Sequence, residues 1–405
     1  MQPESQFHFP ELLILLGIAG LTIPFLHRFR IPQVLGFLFC GILVGPYGLS
    51  LWGHDIGWIG AIGIKNGEIV NRFAELGVIF LMFMIGLKLS LSDLWGMRRQ
   101  IIGLGGCQIV VTALAVFAVA RGFGNSVEMS ILLGACFALS STAVVMQIFD
   151  EKKKLHSAVG KLSFSILLMQ DLAVVPILAM LAAFAAPSEQ SLAFLMAKSF
   201  AVAAAAVVAI YFIGMKVLEP VLLYLKPENH PEWLMSFVLF LVIGTAMLTE
   251  SFGLSAALGA FLAGLLLAET DYCDDVEAMI APIKGLLMGV FFLSVGMMID
   301  LRVVLENPAW LFLSVIGIGA IKAGILFALC LAFRQKREVA AETAIMLGQS
   351  GEFVFVIAAM AQVYGILQAA DAQFFMLVTA ISMMMTPFIV PLAPVVAARI
   401  AQAGR

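Results

Sequence analysis

Charge is what this chain has least of. Only 23 of its 405 residues are Lys or Arg and 26 are Asp or Glu, 12% together, about half the roughly 25% usual for a soluble domain. So few charges cannot cover a water-soluble globule of this length, which excludes soluble enzymes as a class. The formal net charge of −3 carries no basic excess, so no nucleic-acid partner is expected. Histidine is thin as well: His8, His54, His156 and His230 fall near expected membrane surfaces and His27 at a span end. With no His cluster at ligand spacing, no Ser–His–acid arrangement and no phosphate loop, neither catalysis nor a bound cofactor is expected. Of the five cysteines, Cys40, Cys107, Cys136 and Cys330 lie in apolar runs and Cys273 in an acidic loop. They form no disulfide or metal framework and read as small core residues. The first ten residues hold Glu4 and no Lys or Arg, the wrong charge for a signal peptide.

What is present is apolar surface. Hydrophobic residues make up 62% of the chain, which makes it an all-α integral membrane protein. At about 30 residues per span with its loop, the length allows about 13 transmembrane helices. They are expected near 9–27, 33–51, 72–89, 100–121, 127–150, 158–184, 193–218, 232–250, 254–269, 280–299, 308–333, 339–363 and 373–398. Turn or charge signals separate them, among them Arg28–Phe29–Arg30, Gly45–Pro46, Asp150 to Lys154, Pro187 and Lys226–Pro227. Residues 1–405 thus form one transmembrane domain in contact with the lipid bilayer, with nothing left over for a soluble one.

Orientation follows the basic residues. Odd-numbered loops hold Arg28 and Arg30; Lys88, Arg98 and Arg99; Lys152 to Lys154 and Lys161; Lys216 and Lys226; Lys284; and Arg334, Lys336 and Arg337. Arg399 and Arg405 follow in the tail, whereas even-numbered loops hold only Lys65, Arg72, Arg121, Lys198 and Arg302. The N-terminus is therefore expected outside and the C-terminus in the cytoplasm.

A weak internal repeat accompanies this order. A shift of 223 residues lays Phe29 on Phe252, Leu35–Gly36 on Leu258–Gly259 and Gly41 on Gly264; a shift of 210 lays Gly86 on Gly296. Repeat one (about 9–184) and repeat two (about 232–398) become six-helix units joined by a linker helix (about 193–218). One odd linker inverts the second unit, the plan of many secondary transporters.

Ionisable groups inside the spans are few. Asp171 sits at mid-depth within Leu168–Met169–Gln170–Asp171–Leu172. A carboxylate there costs several kcal/mol unless paired or facing water, and is a functional candidate by default. Pro176 removes the bond to the Leu172 carbonyl and frees an oxygen beside it. A buried acid of this kind can hold a proton or a cation; a structural aspartate paired to another helix is the other reading. The preceding span carries Ser140–Ser141–Thr142, and its counterpart in the second repeat reads Gly348–Gln349–Ser350–Gly351–Glu352. Either segment alone fits a small-residue packing face. As a corresponding pair they mark two interrupted helices at a transport site. Lys322, in an otherwise uncharged span, needs a partner, for which Asp171 and Glu352 are the candidates, or else it is a fixed strut. Glu75, Glu250 and Glu342 lie near span ends and read as solvated, and Met383–Met384–Met385 as packing filler.

Leu139–Ser140–Ser141–Thr142–Ala143, Gln170–Asp171, Phe291–Phe292–Leu293–Ser294–Val295–Gly296–Met297 and Gly351–Glu352–Phe353 resemble the monovalent cation:proton antiporter-2 family, and within it the Kef-type, glutathione-gated potassium-efflux systems. The match also takes in Gly77–Val78 to Gly86–Leu87 and Gly259 to Gly264, and runs in order through essentially the whole chain. Gln–Asp where sodium/proton relatives have Asp–Asp or Asn–Asp resembles the potassium-selective branch.

The resemblance implies a homodimer of thirteen-helix subunits in a bacterial inner membrane, with two crossed, broken helices in a mobile core that moves as an elevator. It implies K⁺ and H⁺ as transported ions, Asp171 as carrier, K⁺ held at Asp171 and Gln170 with Ser140, Ser141 and Thr142 as neighbours, and Lys322 as the lysine paired with the acid. Gln349, Ser350 and Glu352 belong to the second broken helix. Na⁺/H⁺ exchange on the same scaffold is the alternative, and a K⁺ channel-like pathway a remoter one. Two departures stand out. Kef systems carry a C-terminal nucleotide-binding regulatory domain, whereas this chain stops shortly after its last span. Their regulatory loop corresponds to Asp274–Asp275–Val276–Glu277–Ala278–Met279–Ile280–Ala281–Pro282, which keeps Glu277 and Pro282 but not the full acidic pattern. Glutathione gating through this chain alone is therefore not expected; the regulator is lost, carried on a separate subunit, or cut away.

Overall fold

The computed structural model describes residues 9–22, 33–48, 68–88, 95–185, 192–225, 231–252, 254–306 and 308–403, with Pro24, Arg28 and Ile64. All regular structure among them is helical. Helix α1 (Phe9–Gly17) continues into a π-helical turn at Ile18–Thr22 and is followed by α2 (Gln33–Val44) and α3 (Glu68–Leu87). A π-helical stretch, Arg99–Gly105, leads into α4 (Gly106–Gly122). Next come α5 (Val127–Ala138), α6 (Thr142–Glu151), α7 (Ala158–Ala185), α8 (Leu192–Leu225), α9 (Pro231–Ser251) and α10 (Ala256–Ala268). The chain closes with α11 (Cys273–Met297), α12 (Leu301–Glu306), α13 (Pro308–Ala332), α14 (Arg337–Met346), α15 (Phe353–Val363), α16 (Ala369–Ile389) and α17 (Ala393–Ala403).

In hydrocarbon every backbone group must be satisfied within its own segment, so long apolar runs become helices. Among the described residues eight helices are long and apolar enough to cross a membrane, and Ala256–Ala268 and Phe353–Gln362 are shorter apolar helices. The chain is a multi-pass membrane protein. Caps fix several starts: Ser126 Oγ accepts from Met129 N–H at 3.1 Å and Ser255 Oγ from Leu258 N–H at 3.2 Å.

Two expectations shift. The helix expected at 193–218 is longer, because α8 runs through Lys216, Glu219 and Pro220 to Leu225. The stretch from Asp274 to Pro282, expected as a loop, is the start of α11; Asp274 and Asp275 in its first turn complement the positive end of the helix. The interruptions read in the runs 127–150 and 339–363 are present, dividing α5 from α6 and α14 from α15. Pro187 and Lys226–Pro227, with His8, His27, His54 and His230, lie outside the described residues.

The chain divides into two compact units, one of Met1–Val78 with Pro282–Pro308, the other of Ile79–Ala281 with Ala309–Arg405. In the first, α2 meets α11 backbone to backbone: a Cβ on Gly41 would collide with Leu293 O and lie 3.0 Å from Gly296 Cα. In the second, α10 meets α3 in the same way: a Cβ on Gly264 would collide with Phe83 O and lie 3.0 Å from Gly86 Cα. These are the glycines that the two sequence shifts lay on one another. In the second unit α4 packs on α5, α7 on α8, and α9 on α10. A core of Leu132 and Leu139, Val174 and Leu181, and Ile357 and Ala361 joins α5, α7 and α15. The most apolar 18 residues of Val127–Glu151 are 89% buried, against 22% of those of Pro308–Ala332, so most of the interrupted α5–α6 pair is enclosed by protein while α13 keeps most of its surface outward.

Candidate ion-binding site

The site grows from two interruptions in one unit. After α5, Leu139 and Ser141 adopt extended backbone (ψ 146° and 109°), and α6 starts at Thr142 with Ser141 as its cap, Oγ accepting from Val144 N–H at 3.2 Å. After α14, Leu347 to Glu352 leave the helix before α15 begins. The two interruptions touch: Ser140 Oγ donates to Leu347 O at 2.8 Å. Gly351 packs on Ser140 so closely that a Cβ would stand 2.8 Å from its carbonyl oxygen, leaving only glycine at that crossing. Ser350 N–H is held by Ser382 Oγ at 3.1 Å.

Breaking a helix exposes carbonyls at one end and N–H groups at the other, with the dipole's negative and positive ends. Lys322, 0% exposed on α13, takes the negative ends. Its Nζ donates to Leu139 O at 2.6 Å and to Gln349 O at 2.7 Å, one carbonyl from each interruption. The carboxylate partner expected for it is thus replaced by two backbone carbonyls, the strut arrangement.

The acids gather at the start of α6. Asp171, on α7 and 2% exposed, accepts from Thr142 Oγ1 at 3.2 Å through Oδ1. Glu352 Oε1 accepts from Ala143 N–H at 3.4 Å. The second oxygens, Asp171 Oδ2 and Glu352 Oε2, are buried without a hydrogen-bond partner, as are Ser350 Oγ and both side-chain polar atoms of Gln349. Buried oxygens in want of a donor or cation are costly unless something binds them, and a desolvated monovalent cation or a proton supplies what they lack.

Gln170 is hydrogen-bonded through both of its side-chain polar atoms. Its Oε1 accepts from Ser140 N–H at 2.7 Å, and its Nε2 donates to Gln108 Oε1 at 2.7 Å. Gln108, on α4 and wholly buried, did not emerge from the sequence reading. The available signal was a lone amide, with Thr112 one turn on, in an otherwise apolar stretch. Asp274, Asp275 and Glu277 are not among these residues. Asp274 and Asp275 are exposed in the first turn of α11. Glu277 pairs with Lys88 at 3.1 Å, and Lys88 also holds Asp150, near the far end of α6, at 2.9 Å. No group of three or more His, Cys, Asp or Glu able to hold a metal occurs among the described residues.

The profile of the sodium/hydrogen exchanger family's transmembrane region matches residues 12–395. The chain belongs to that family. Among curated relatives of this chain, the glutathione-regulated potassium-efflux system protein KefC of Escherichia fergusonii is 35% identical over 379 residues, 94% of this chain and 59% of its own length. KefC of Salmonella heidelberg is 36% identical over 377 residues, 93% of this chain and 59% of its own. The chain therefore spans about three fifths of the length of these relatives. The sodium proton antiporter MjNhaP1 from Methanocaldococcus jannaschii at pH 8 shares the fold, with a TM-score of 0.67 at 15% identity over 96% of this chain and 99% of that one.

Proposed function

We propose that the exchanger is a K⁺/H⁺ antiporter of the Kef type in a bacterial inner membrane, carrying one cation against one proton at Asp171. The observation that carries this reading is the pair of partnerless buried oxygens, Asp171 Oδ2 and Glu352 Oε2, beside the positive end of α6. With the site open to the cytoplasm, Asp171 loses its proton and takes a partly dehydrated K⁺, with Glu352, Gln349 and Ser350 close by and Gln170, Ser140, Ser141 and Thr142 shaping the interruption. The core then moves as an elevator, and protonation on the far side releases the ion. An unpaired charge in mid-membrane is costly, so the empty, ionised site moves slowly and exchange stays coupled. Lys322 keeps the half-helix carbonyls satisfied throughout.

Thirteen spans, N-terminus outside and C-terminus inside, form two inverted six-helix repeats. The matched crossings Gly41–Gly296 and Gly264–Gly86 support this, since exchanging the repeats turns one into the other. The working unit is a homodimer. Asp274, Asp275 and Glu277 at the start of α11 are the surface that a nucleotide-binding regulatory domain or subunit meets.

The test is purified protein in liposomes with an internal pH-sensitive dye, a proton gradient imposed, and K⁺, Na⁺ or Li⁺ added in turn. K⁺-driven proton movement that is lost in Asp171→Asn is the expected result. A response to Na⁺ alone makes it a sodium antiporter, and wild-type exchange rates in Asp171→Asn overturn the assignment of the carrier.

A further inference from the structure

The polar atoms behind Asp171 form a chain with a fixed direction. It begins at Ser140 N–H, inside the first interruption, which donates to Gln170 Oε1 at 2.7 Å. Gln170 Nε2 donates onward to Gln108 Oε1 at 2.7 Å, and at 3.4 Å to Ala138 O. Gln108 Nε2 then donates to Ala138 O at 3.0 Å and to Thr112 Oγ1 at 3.1 Å. An amide's oxygen and nitrogen are assigned from their partners, and here both ends are backbone groups whose character is certain: a donor at Ser140 and an acceptor at Ala138. Turning either amide over sets donor against donor or acceptor against acceptor. Both glutamines are at most 1% exposed, so water does not relieve such a mismatch.

We propose that Gln108 is a positioning residue for the cation site: it locks the amide of Gln170, and through it the backbone at Ser140, at the height that cation binding at Asp171 requires. Gln170 is the residue before Asp171, so one clamp ties the acid's own helix to the interruption from which Thr142 Oγ1 donates to the acid. Ser140 is also the residue that reaches the second interruption through Leu347 O. In this arrangement Gln170 acts on selectivity by fixing the spacing of the other oxygens, held in place by its bonds to Ser140 N–H and Gln108 Oε1. Groups that orient a ligand from behind are typically worth about 10- to 100-fold in affinity or activity.

The proposal rests on Asp171-dependent antiport, and two measurements keep the two separable. The first is hydrogen–deuterium exchange of the peptide covering Ser140. Gln108→Met preserves volume and removes the acceptor for Gln170, so the Ser140 amide exchanges faster than in wild type; unchanged exchange overturns the clamp. The second is liposome transport with K⁺ and Na⁺ titrated separately. Gln108→Met raises the K⁺ concentration for half-maximal rate about 10- to 100-fold, leaves the maximal rate within about twofold, and narrows the K⁺-to-Na⁺ preference. The double variant Gln108→Met/Gln170→Met is no worse than Gln170→Met alone, because both act through one chain. An unchanged half-saturation and preference, or additive losses, overturn the proposal. Exchange in wild type that does not depend on Asp171 overturns the antiport reading instead, and the Ser140 amide still decides the clamp. Should Gln108→Met not fold, Gln108→Asn, too short to reach Gln170 and Ala138 together, carries both measurements.

Discussion

Replacing Lys322 by methionine tests the reading of the crossing most directly. The side chain is 0% exposed, and methionine reproduces its stem. What is lost is the ammonium and its bonds to Leu139 O at 2.6 Å and Gln349 O at 2.7 Å. A hydrogen bond to a charged group contributes about 1.5–3 kcal/mol net of hydration, so two such bonds come to about 3–6 kcal/mol. The two carbonyls left behind have no water to turn to. Lys322→Met is therefore expected to fold but to unfold at markedly lower temperature in detergent, read by scanning fluorimetry or circular dichroism. The same loss is expected in an Asp171→Asn background, because the bonds are to carbonyls and not to the acid. Wild-type thermal stability in Lys322→Met would refute the reasoning, and so would a loss that disappears when Asp171 is neutralised, since the lysine's partner would then be the carboxylate.

Three further outcomes are expected. Gly264→Ala drives a Cβ into Phe83 O, backbone that cannot rotate aside, and costs about 1–3 kcal/mol or more; Gly244→Ala, with nothing within 4 Å, costs nothing in the same unfolding assay. Glu352→Gln keeps the acceptor for Ala143 N–H and removes the charge. The K⁺ needed for half-maximal exchange rises about tenfold, or ~1.4 kcal/mol, and an unchanged value removes Glu352 from the site. Lys88→Ala severs the half-buried pairs to Asp150 and Glu277 and costs about 1 kcal/mol at low ionic strength, less at high salt; a loss indifferent to salt shows that packing, not charge, is at work there.

The polar interruptions were legible in the sequence because hydroxyls, glycines and acids are conspicuous inside apolar runs. Ser140 to Thr142, Asp171 and Gly348 to Glu352 needed no other signal, and they do meet. What Lys322 binds was not legible, since a carbonyl oxygen has no letter of its own, and any residue at Leu139 or Gln349 would present the same acceptor. Gln108 escaped because a single amide on a lipid-length helix carries no pattern, and its meaning depends on α4 lying beside α7. Helix ends misled wherever charge was read as loop. The acids at Asp274 and Asp275 open a helix, and Lys216, Glu219 and Pro220 ride inside one.

The crossing of Gly41 with Gly296 also sets a schedule for synthesis. The two glycines stand 255 positions apart in the sequence, so α2 is made long before the surface it packs against exists. At a ribosomal rate of about 5–20 residues per second, α2 waits roughly 13–50 s for its partner. Gly86 waits in the same way for Gly264, 178 positions later, for roughly 9–36 s at the same rate. For that interval the first unit is an unfinished assembly of apolar helices held only by lipid and by whatever insertion factors attend it. An early helix of this chain therefore has to stay in the bilayer without its partner, and the uninterrupted apolar run Val34–Val44 of α2 favours it there.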